Sequence, residues 1–239
     1  MLKVEHFFDV YEKHFSRFRN RPMRLLEIGI NKGGSMSLWR NYFGEQCEIH
    51  GLDIDPCTRD VVEDDITVHI GSQGDPGFLT RIAQEYGPFD LIIDDGSHFM
   101  AHQICSFEAL YPTMSERGVY VCEDTFTSYW REYGGKVGGS DTFVEYAKKL
   151  VDELHAYWAT DDKLIATPFT KSTEGIYFYS GAIVFERAPV QPPVNIARHK
   201  NHVGSVSVAE LKHSAKITTQ GALPRPKGWR QRLKRLLNR

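Results

Sequence analysis

The chain has 239 residues, enough for one large domain with an appendage, and its size gives no reason to expect two full domains. The composition, 41% hydrophobic and 25% charged, is ordinary for a soluble globular protein. No apolar run approaches the ~20 residues of a membrane-spanning helix, and the first residues lack the features of a secretory signal. The cysteines lack the spacing of metal ligands, so the sequence predicts a cytoplasmic protein with reduced thiols.

The net charge of −2 conceals two parts of opposite charge. Residues 188–239 contain 11 Lys and Arg against one acidic residue, Glu210, whereas residues 1–187 contain 18 Lys and Arg against 30 Asp and Glu. We therefore predict an acidic domain followed by a basic extension. Nucleic acids bind to basic surfaces, so the acidic domain argues against nucleic acid as the main ligand.

The extension begins with the proline-containing linker PVQPPV and ends with GWRQRLKRLLNR, a short segment with the pattern of an amphipathic helix. Between these stretches it has no sustained hydrophobic period. Three interpretations remain open: peripheral contact with the anionic inner surface of a membrane, docking of a partner enzyme, or a disordered solubilising extension.

Within residues 1–187, the first predicted element is an amphipathic helix over residues 2–18. Its aromatic residues recur at three- and four-residue steps, and this face would form a lid, an oligomer contact or ordinary core. Short apolar strands are predicted at 24–28, 48–54, 66–70, 89–93 and 119–122. Residues 29–34 form a glycine-rich turn that is followed by a predicted helix. Further helices are predicted at 78–86, 102–110 and 142–158, and two closing strands within 175–187.

This alternation predicts an α/β fold, a mostly parallel sheet with helices on both faces. In such sheets, ligands bind beyond the carboxyl ends of the strands. Every polar motif described below follows one of these predicted strand ends, so we expect the motifs to share one site.

The turn after the first predicted strand reads LLEIGINKGGS and contains Glu27, Gly29 and Ser35. A nicotinamide or flavin site would carry the spacing GxGxxG, and here Glu27 stands where the first glycine would be. A carboxylate repels a pyrophosphate but attracts the ammonium and sulfonium groups of S-adenosylmethionine (SAM). The turn thus favours SAM over a dinucleotide, with a purely structural tight turn as the alternative.

Two further segments are placed to bind the nucleoside. Asp53 ends the second predicted strand and could accept hydrogen bonds from ribose hydroxyls, with Asp55 as an alternative. The loop GSQGDP at 71–76, which contains Ser72 and Gln73, lies where an adenine ring would rest. Either acid could instead cap a turn, and the loop could be an ordinary surface turn.

A cluster of acids is predicted beyond the fourth and fifth strands. Asp94 and Asp95, with His98 close behind, follow one strand, and Glu123 and Asp124 follow the other. If the strands are neighbours, the carboxylates meet and need a cation, for which Mg²⁺, Mn²⁺ or Ca²⁺ is chemically suited. Such a metal could acidify an acceptor hydroxyl, and His98 could remove its proton. Singly, each acid could instead cap a helix, and the histidine could be an ordinary loop residue.

Together, the motifs LLEIGINKGGS, GLDIDP, GSQGDP, IIDDGSH and VYVCEDTFTSYW resemble those of the metal-dependent sugar O-methyltransferases of natural-product biosynthesis. This family includes macrolide and rhamnosyl O-methyltransferases and related proteins labelled cephalosporin hydroxylases. The resemblance covers roughly residues 5–187. It implies the Rossmann-like class I methyltransferase fold, with a seven-stranded sheet whose final strand is antiparallel.

The resemblance also implies roles for individual residues. The SAM site would comprise Glu27, Gly29 and Ser35 at the methionine part, Asp53 at the ribose, Ser72 and Gln73 at the adenine, and Asp94 at the ammonium. The Mg²⁺ ligands would be Asp95, Glu123 and Asp124, with His98 as the general base. The acceptor side would include Tyr129, Trp130 and the loop 134–139. Phe126 departs from the family pattern, where many relatives have His, so no acceptor identity is inherited.

These observations predict an O-methyltransferase, dependent on SAM and a divalent metal, that acts on a hydroxyl of a saccharide or glycosylated small molecule and forms a homo-oligomer. The alternatives are a nicotinamide-dependent oxidoreductase, which Glu27 disfavours, and a non-catalytic module of the same fold. The intact set of acids with His98 disfavours the second alternative.

Overall fold

The computed structural model describes residues 3–199 and 202–207. The main sheet consists of seven strands: β1 (Met23–Ile28), β2 (Cys47–Asp53), β3 (Thr67–Ile70), β4 (Leu91–Asp94), β5 (Val119–Cys122), β6 (Thr173–Tyr179) and β7 (Ala182–Arg187). Their spatial order is β3-β2-β1-β4-β5-β7-β6. The first five strands are parallel, and β7 pairs antiparallel with both β5 and β6. The predicted α/β class and the antiparallel strand near the end of the sheet are confirmed.

Helices cover both faces of this sheet: α1 (Phe7–Phe15), α2 (Gly34–Phe43), α3 (Pro76–Tyr86), α4 (Met100–Leu110), α5 (Phe143–Leu154) and α6 (Pro168–Ser172). The buried apolar side chains form two groups, one with α1 and α2 and the other with α3, α4 and α5. Alternate residues of β4 and β5 contribute to the two groups, as expected for a sheet buried on both faces.

The predicted N-terminal helix at 2–18 forms α1 and a 3₁₀ turn at Ser16–Phe18. On its aromatic face, the side chains of Phe7, Tyr11 and Phe15 are buried. Tyr11 and Phe15 pack edge-on against the indole of Trp39 from α2. The core interpretation therefore holds for Phe7, Tyr11 and Phe15, whereas Phe8 is exposed.

Several helix boundaries differ from the predictions: α1 begins at Phe7 rather than at residue 2, and α4 begins at Met100 rather than at residue 102. α3 begins at Pro76 rather than at residue 78, because the side chain of Asp75 accepts hydrogen bonds from the amides of Gly77 and Phe78 and caps the helix. The helix predicted at 142–158 ends at Leu154, and its last residues form a separate 3₁₀ turn. The Asp-Pro pair of the GSQGDP loop is therefore a helix start.

The chain divides into two compact units, residues 1–191 and 192–239. The described part of the second unit is an antiparallel hairpin of β8 (Val194–His199) and β9 (His202–Ser207). The sequence predicts no strands here, because the apolar alternation is short. The predicted terminal helix lies outside the described residues. Within the described ranges, no helix has the length and hydropathy needed to cross a membrane.

A buried pair of histidines joins β2 to β3. His50 Nδ1 lies 3.1 Å from His69 Nε2, and the two rings are stacked with centroids 5.3 Å apart. Tyr86 and Phe89 pack against this pair. Burial lowers the pKa of both imidazoles, and that of His69 falls to about 4. The folded protein therefore holds both rings neutral where an unfolded chain would begin to bind protons.

We expect this pair to make stability pH-dependent. An unfolded histidine binds its proton near pH ~6.5, so the stability contribution of His69 is complete above that value and is lost as the pH falls toward 4. The free energy of unfolding in urea should fall by on the order of 2 kcal/mol between pH 7.5 and 5 from this group. The variant His69→Gln should show a shallower pH dependence than wild type, and the exposed control His155→Gln an unchanged one. Equal slopes in all three proteins would contradict the expectation.

Candidate active site

The carboxyl ends of the parallel strands surround a cavity of about 600 Å³. The backbone ladder continues past the strands: the amide of Asp95 donates to the carbonyl of Ile28 at 3.0 Å, and that of Glu123 donates to the carbonyl of Asp94 at 2.9 Å. This register holds the residues after β4 and β5 at one level of the rim. The predicted site residues that line the cavity are Gly29, Ser35, Asp53, Ser72, Gln73, Asp95, His98 and Asp124.

The glycine-rich turn after β1 is held tightly against the neighbouring strand end. Gly29 has φ +96°, and a Cβ atom there would lie 2.2 Å from the carbonyl oxygen of Asp95. Asp53 Oδ2 accepts hydrogen bonds from the amides of Ile30 (2.8 Å) and Asn31 (3.0 Å). Asp53 thus shapes this turn in addition to lining the cavity, and its predicted contact with a ribose stays a prediction.

Glu27 lies fully buried behind the cavity wall. Its Oε2 atom accepts a hydrogen bond from the indole Nε1 of Trp39 at 2.9 Å, and its Oε1 atom lies 3.4 Å from the ammonium of Lys3. Burial raises the pKa of Glu27 to about 7, and the Lys3 ammonium opposes that rise. A carboxylate at this depth is a strong attractor for a cation.

Lys3 is a residue of the site that the motifs do not predict. Its Nζ atom lies 2.6 Å from Asp95 Oδ2 and 2.9 Å from Glu123 Oε2. The hydroxyl of Tyr11 donates to the other oxygen of Glu123 at 2.6 Å. Burial raises the pKa of Glu123 to about 8, with Lys3 opposing. Glu123 stays a predicted metal ligand, but both of its oxygens are bound by protein donors here.

The side chains of Asp95, His98 and Asp124 come together at the mouth of the cavity. Each offers one ligand atom, and these atoms lie within 4.8 Å of one another. His98 Nε2 is 3.7 Å from Asp124 Oδ2, and His98 Nδ1 is buried without a hydrogen-bond partner among the described residues. The structure therefore groups the predicted base with two of the three predicted metal ligands.

The backbone at this cluster is strained in a way that fixes the two loops. His98 has φ +59° and Asp124 has φ +50°, a left-handed conformation that residues other than glycine adopt infrequently. Thr127 Oγ1 donates to the carbonyl oxygens of both residues, at 3.3 Å and 2.8 Å. One threonine thus ties the loop after β4 to the loop after β5.

Asp94 lies behind the cavity wall, and its predicted contact with the SAM ammonium stays a prediction. Its fully buried carboxylate accepts hydrogen bonds from Gln73 Nε2 (2.9 Å), from the Tyr120 hydroxyl (2.9 Å) and from Ser106. Gln73 Oε1 accepts in turn from the amide of Ser97 at 2.6 Å. Asp94 and Gln73 therefore connect the loop after β3 to the loop after β4.

Four aromatic side chains, of which Phe99 and Trp130 are exposed, form a shelf beside the cavity mouth, which we call the aromatic shelf. Its members are Phe99, Phe126, Trp130 and Tyr133, with ring centroids 5.0 Å to 6.0 Å apart between neighbours. The ring of Tyr133 lies 6.2 Å from that of His98. The shelf thus includes the predicted acceptor-side residue Trp130, and Tyr129 is exposed next to it in the chain.

No protein-family model matches the chain, but individual known proteins are similar to it. A tetracenomycin rhamnosyl 3'-O-methyltransferase of Streptomyces olivaceus is 39% identical over 192 residues, covering 76% of this chain and 49% of the relative. Demethylmacrocin O-methyltransferase of Streptomyces fradiae is 44% identical over 154 residues, 60% of this chain and 38% of the relative. The chain spans about half the length of the curated relatives it matches.

Solved structures give the same result. MycE methyltransferase from the mycinamycin biosynthetic pathway, in complex with Mg and SAH, superposes with a TM-score of 0.71 at 36% identity, over 79% of this chain and 51% of that one. A second crystal form has a TM-score of 0.73 at 32% identity, over 93% and 57%. The fold is that of a class I methyltransferase. Over the region that it shares with these proteins, the chain is homologous to sugar O-methyltransferases, which confirms the resemblance of its motifs.

Two variants can test whether the hydrogen bonds around Asp94 affect SAM binding as well as the stability of the protein. Tyr120→Phe removes one donor from a buried carboxylate and should cost about 1–3 kcal/mol of unfolding free energy. Because the network holds Gln73 and Ser97, the same change should also weaken binding of SAM measured by calorimetry. The control Tyr111→Phe removes a buried hydroxyl bonded to Thr173 and should affect stability alone. Equal SAM affinity in the two variants would contradict this account.

Proposed function

We propose that this chain transfers a methyl group from SAM to a sugar hydroxyl of a glycosylated small molecule, with the help of a divalent cation. The observation that carries the proposal is the shared rim, where the cavity beside Glu27 adjoins the cluster of Asp95, His98 and Asp124. The named relatives are sugar or macrolide O-methyltransferases, and MycE has been solved with Mg, SAH and mycinamycin VI. These names support the same chemistry for this chain.

The cavity fits SAM in shape and charge. Gly29 lets the turn backbone approach a ligand without a side chain between them, and Ser35 lies beside it. The methionine part would bind here, with its ammonium attracted by Glu27, while Asp53 would bind the ribose. Ser72 and Gln73 would line the part of the cavity that holds the adenine. SAM supplies an electrophilic methyl group on a sulfonium that these acids attract.

The mouth of the cavity fits a divalent cation. Asp95 and Asp124 offer hard carboxylate oxygens close together, and the orphaned, buried Nδ1 atom of His98 marks an incompletely satisfied polar site. Asp95 and Asp124 belong both to the ligand set predicted from the family and to the cluster in the structure. When bound, Mg²⁺ or Mn²⁺ would make an acceptor hydroxyl more acidic.

His98 is the proposed general base. Its strained backbone and the link through Thr127 hold the imidazole beside the two acids, so that it can accept the proton of a hydroxyl at the cavity mouth. As the hydroxyl oxygen forms its bond to the methyl carbon, the carbon–sulfur bond breaks and its electron pair stays on sulfur. The protein contributes chiefly by aligning oxygen, carbon and sulfur.

The aromatic shelf is the proposed acceptor surface. Its rings begin next to His98, and those of Phe99 and Trp130 are about half exposed, which suits the apolar face of a sugar ring or the aglycone attached to it. A nicotinamide cofactor is not supported, since the carboxylate of Glu27 takes the position that a pyrophosphate would approach. The homo-oligomer, the cytoplasmic location and the membrane or partner-enzyme contact of the basic extension stay predictions.

Removal of the base and of the metal should each stop turnover. With isotope-labelled SAM and a panel of rhamnosyl and macrolide glycosides, His98→Asn should lower kcat about 10²–10⁴-fold, the usual contribution of a general base. Binding of SAM should change little, because the imidazole is a proton acceptor in this scheme. Chelation with EDTA should abolish activity, and added Mg²⁺ should restore it. Full activity after both treatments would refute the mechanism.

The aromatic shelf can be tested against a matched tryptophan. Trp130→Ala should raise KM for the acceptor by about tenfold through loss of stacking, and leave SAM affinity unchanged. Trp158, which is 51% exposed against 49% for Trp130, lies outside the shelf, so Trp158→Ala should leave both quantities unchanged. The same KM in both variants would show that the shelf does not bind the acceptor.

A further inference from the structure

One ammonium group lies between the acids of the proposed site. Nζ of Lys3 contacts oxygens of Asp95, Glu123 and Glu27 at 2.6 Å, 2.9 Å and 3.4 Å, and the side chain is only 3% exposed. Hard carboxylate oxygens that converge in this way are also the ligands that a divalent cation prefers. Lys3 thus occupies a position that a metal ion or the SAM ammonium could use.

Each oxygen of Glu123 accepts a hydrogen bond from a protein donor while Lys3 is in place. Tyr11 donates to its Oε1 atom at 2.6 Å, and Lys3 binds its Oε2 atom. A metal that used Glu123 together with Asp95 would need oxygens that the ammonium now holds. Two cations this close repel one another strongly where water is excluded.

We propose that Lys3 is an internal competitor of the divalent cation: metal binding to Asp95 and Glu123 displaces its ammonium, which returns when the metal leaves. The inference rests on the metal dependence of the proposed function. The exchange requires only the segment before α1 to move, because Phe7 and Tyr11 anchor the helix in the core. In that segment Glu5 and His6 are exposed, Val4 is partly buried against the core, and His6 Nε2 lies 2.7 Å from the carbonyl oxygen of Ser180. Lys3 can therefore move by opening the turn that leads into α1, while Phe7 and Tyr11 stay packed.

The exchange also connects the metal to SAM. Lys3 lines the SAM cavity and contacts Glu27, the residue proposed to attract the SAM ammonium. A metal that removes Lys3 would remove the competitor of SAM at the same time. Metal and SAM should therefore bind with positive cooperativity, and the coupling should depend on the charge of Lys3.

Calorimetric titration of the full chain with Mg²⁺ tests the competition. Lys3→Met should bind Mg²⁺ about tenfold more tightly than wild type, a coupling of ordinary size, and should lose most of the cooperativity with SAM. Lys13→Met removes a charge from the exposed side of α1, away from the acids, and should leave the Kd within about twofold of wild type. An unchanged or weaker Kd in Lys3→Met would overturn the inference and make Lys3 a permanent structural cation. If neither protein bound Mg²⁺ or Mn²⁺, the proposed metal dependence itself would fail, and the inference with it.

Hydrogen exchange on the wild-type protein gives a second measurement that needs no variant. The amides of Phe7 and Phe8 donate to the carbonyls of Val4 and Glu5 in the turn that follows Lys3. If Mg²⁺ releases Lys3, these amides should exchange faster in the loaded protein. Equal or slower exchange on loading would contradict the displacement.

Discussion

Parallel strands that end at one edge of a sheet bring the residues at and after their ends together, whatever charge those residues carry. In this chain they include four acids that lie close to Lys3 or His98: Glu27 in β1, Asp95 after β4, and Glu123 and Asp124 after β5. Burial raises the pKa of Glu27 to about 7 and that of Glu123 to about 8. A cation among carboxylates clustered at such depth strongly favours their ionised form. The requirement for positive charge at this rim is the constraint on which the rest of the site depends.

The apolar core and the polar site are built from the same elements. Tyr11 of α1 and Trp39 of α2 pack against each other in the core. Tyr11 donates a hydrogen bond to Glu123, and Trp39 donates one to Glu27. On the other face of the sheet, the hydroxyls of Ser106 and Tyr120 donate hydrogen bonds to the carboxylate of Asp94. The packing of both faces thus fixes which carboxylate oxygens remain available for a cation.

Much of this could be predicted from the sequence, because strand ends, the glycine-rich turn and the paired acids are local patterns. The different surroundings of Asp94 and Asp95 could not be predicted from the sequence. β4 includes Asp94, whose side chain shares the face of Ile92 and points toward α4, while Asp95 is the next residue and faces the cavity. Lys3 was also beyond prediction, since a single lysine carries no pattern and its partners lie 24, 92 and 120 residues away.

The central claim is that one acidic rim binds a cationic methyl donor and a divalent metal side by side. The most direct measurement is a crystal structure of the full chain with Mn²⁺ and SAH, with the metal located by its anomalous scattering. The account predicts an anomalous peak bounded by the carboxylates of Asp95 and Asp124, with SAH in the adjoining cavity beside Glu27. A well-occupied SAH with no metal at the rim, or a metal bound elsewhere, would contradict it.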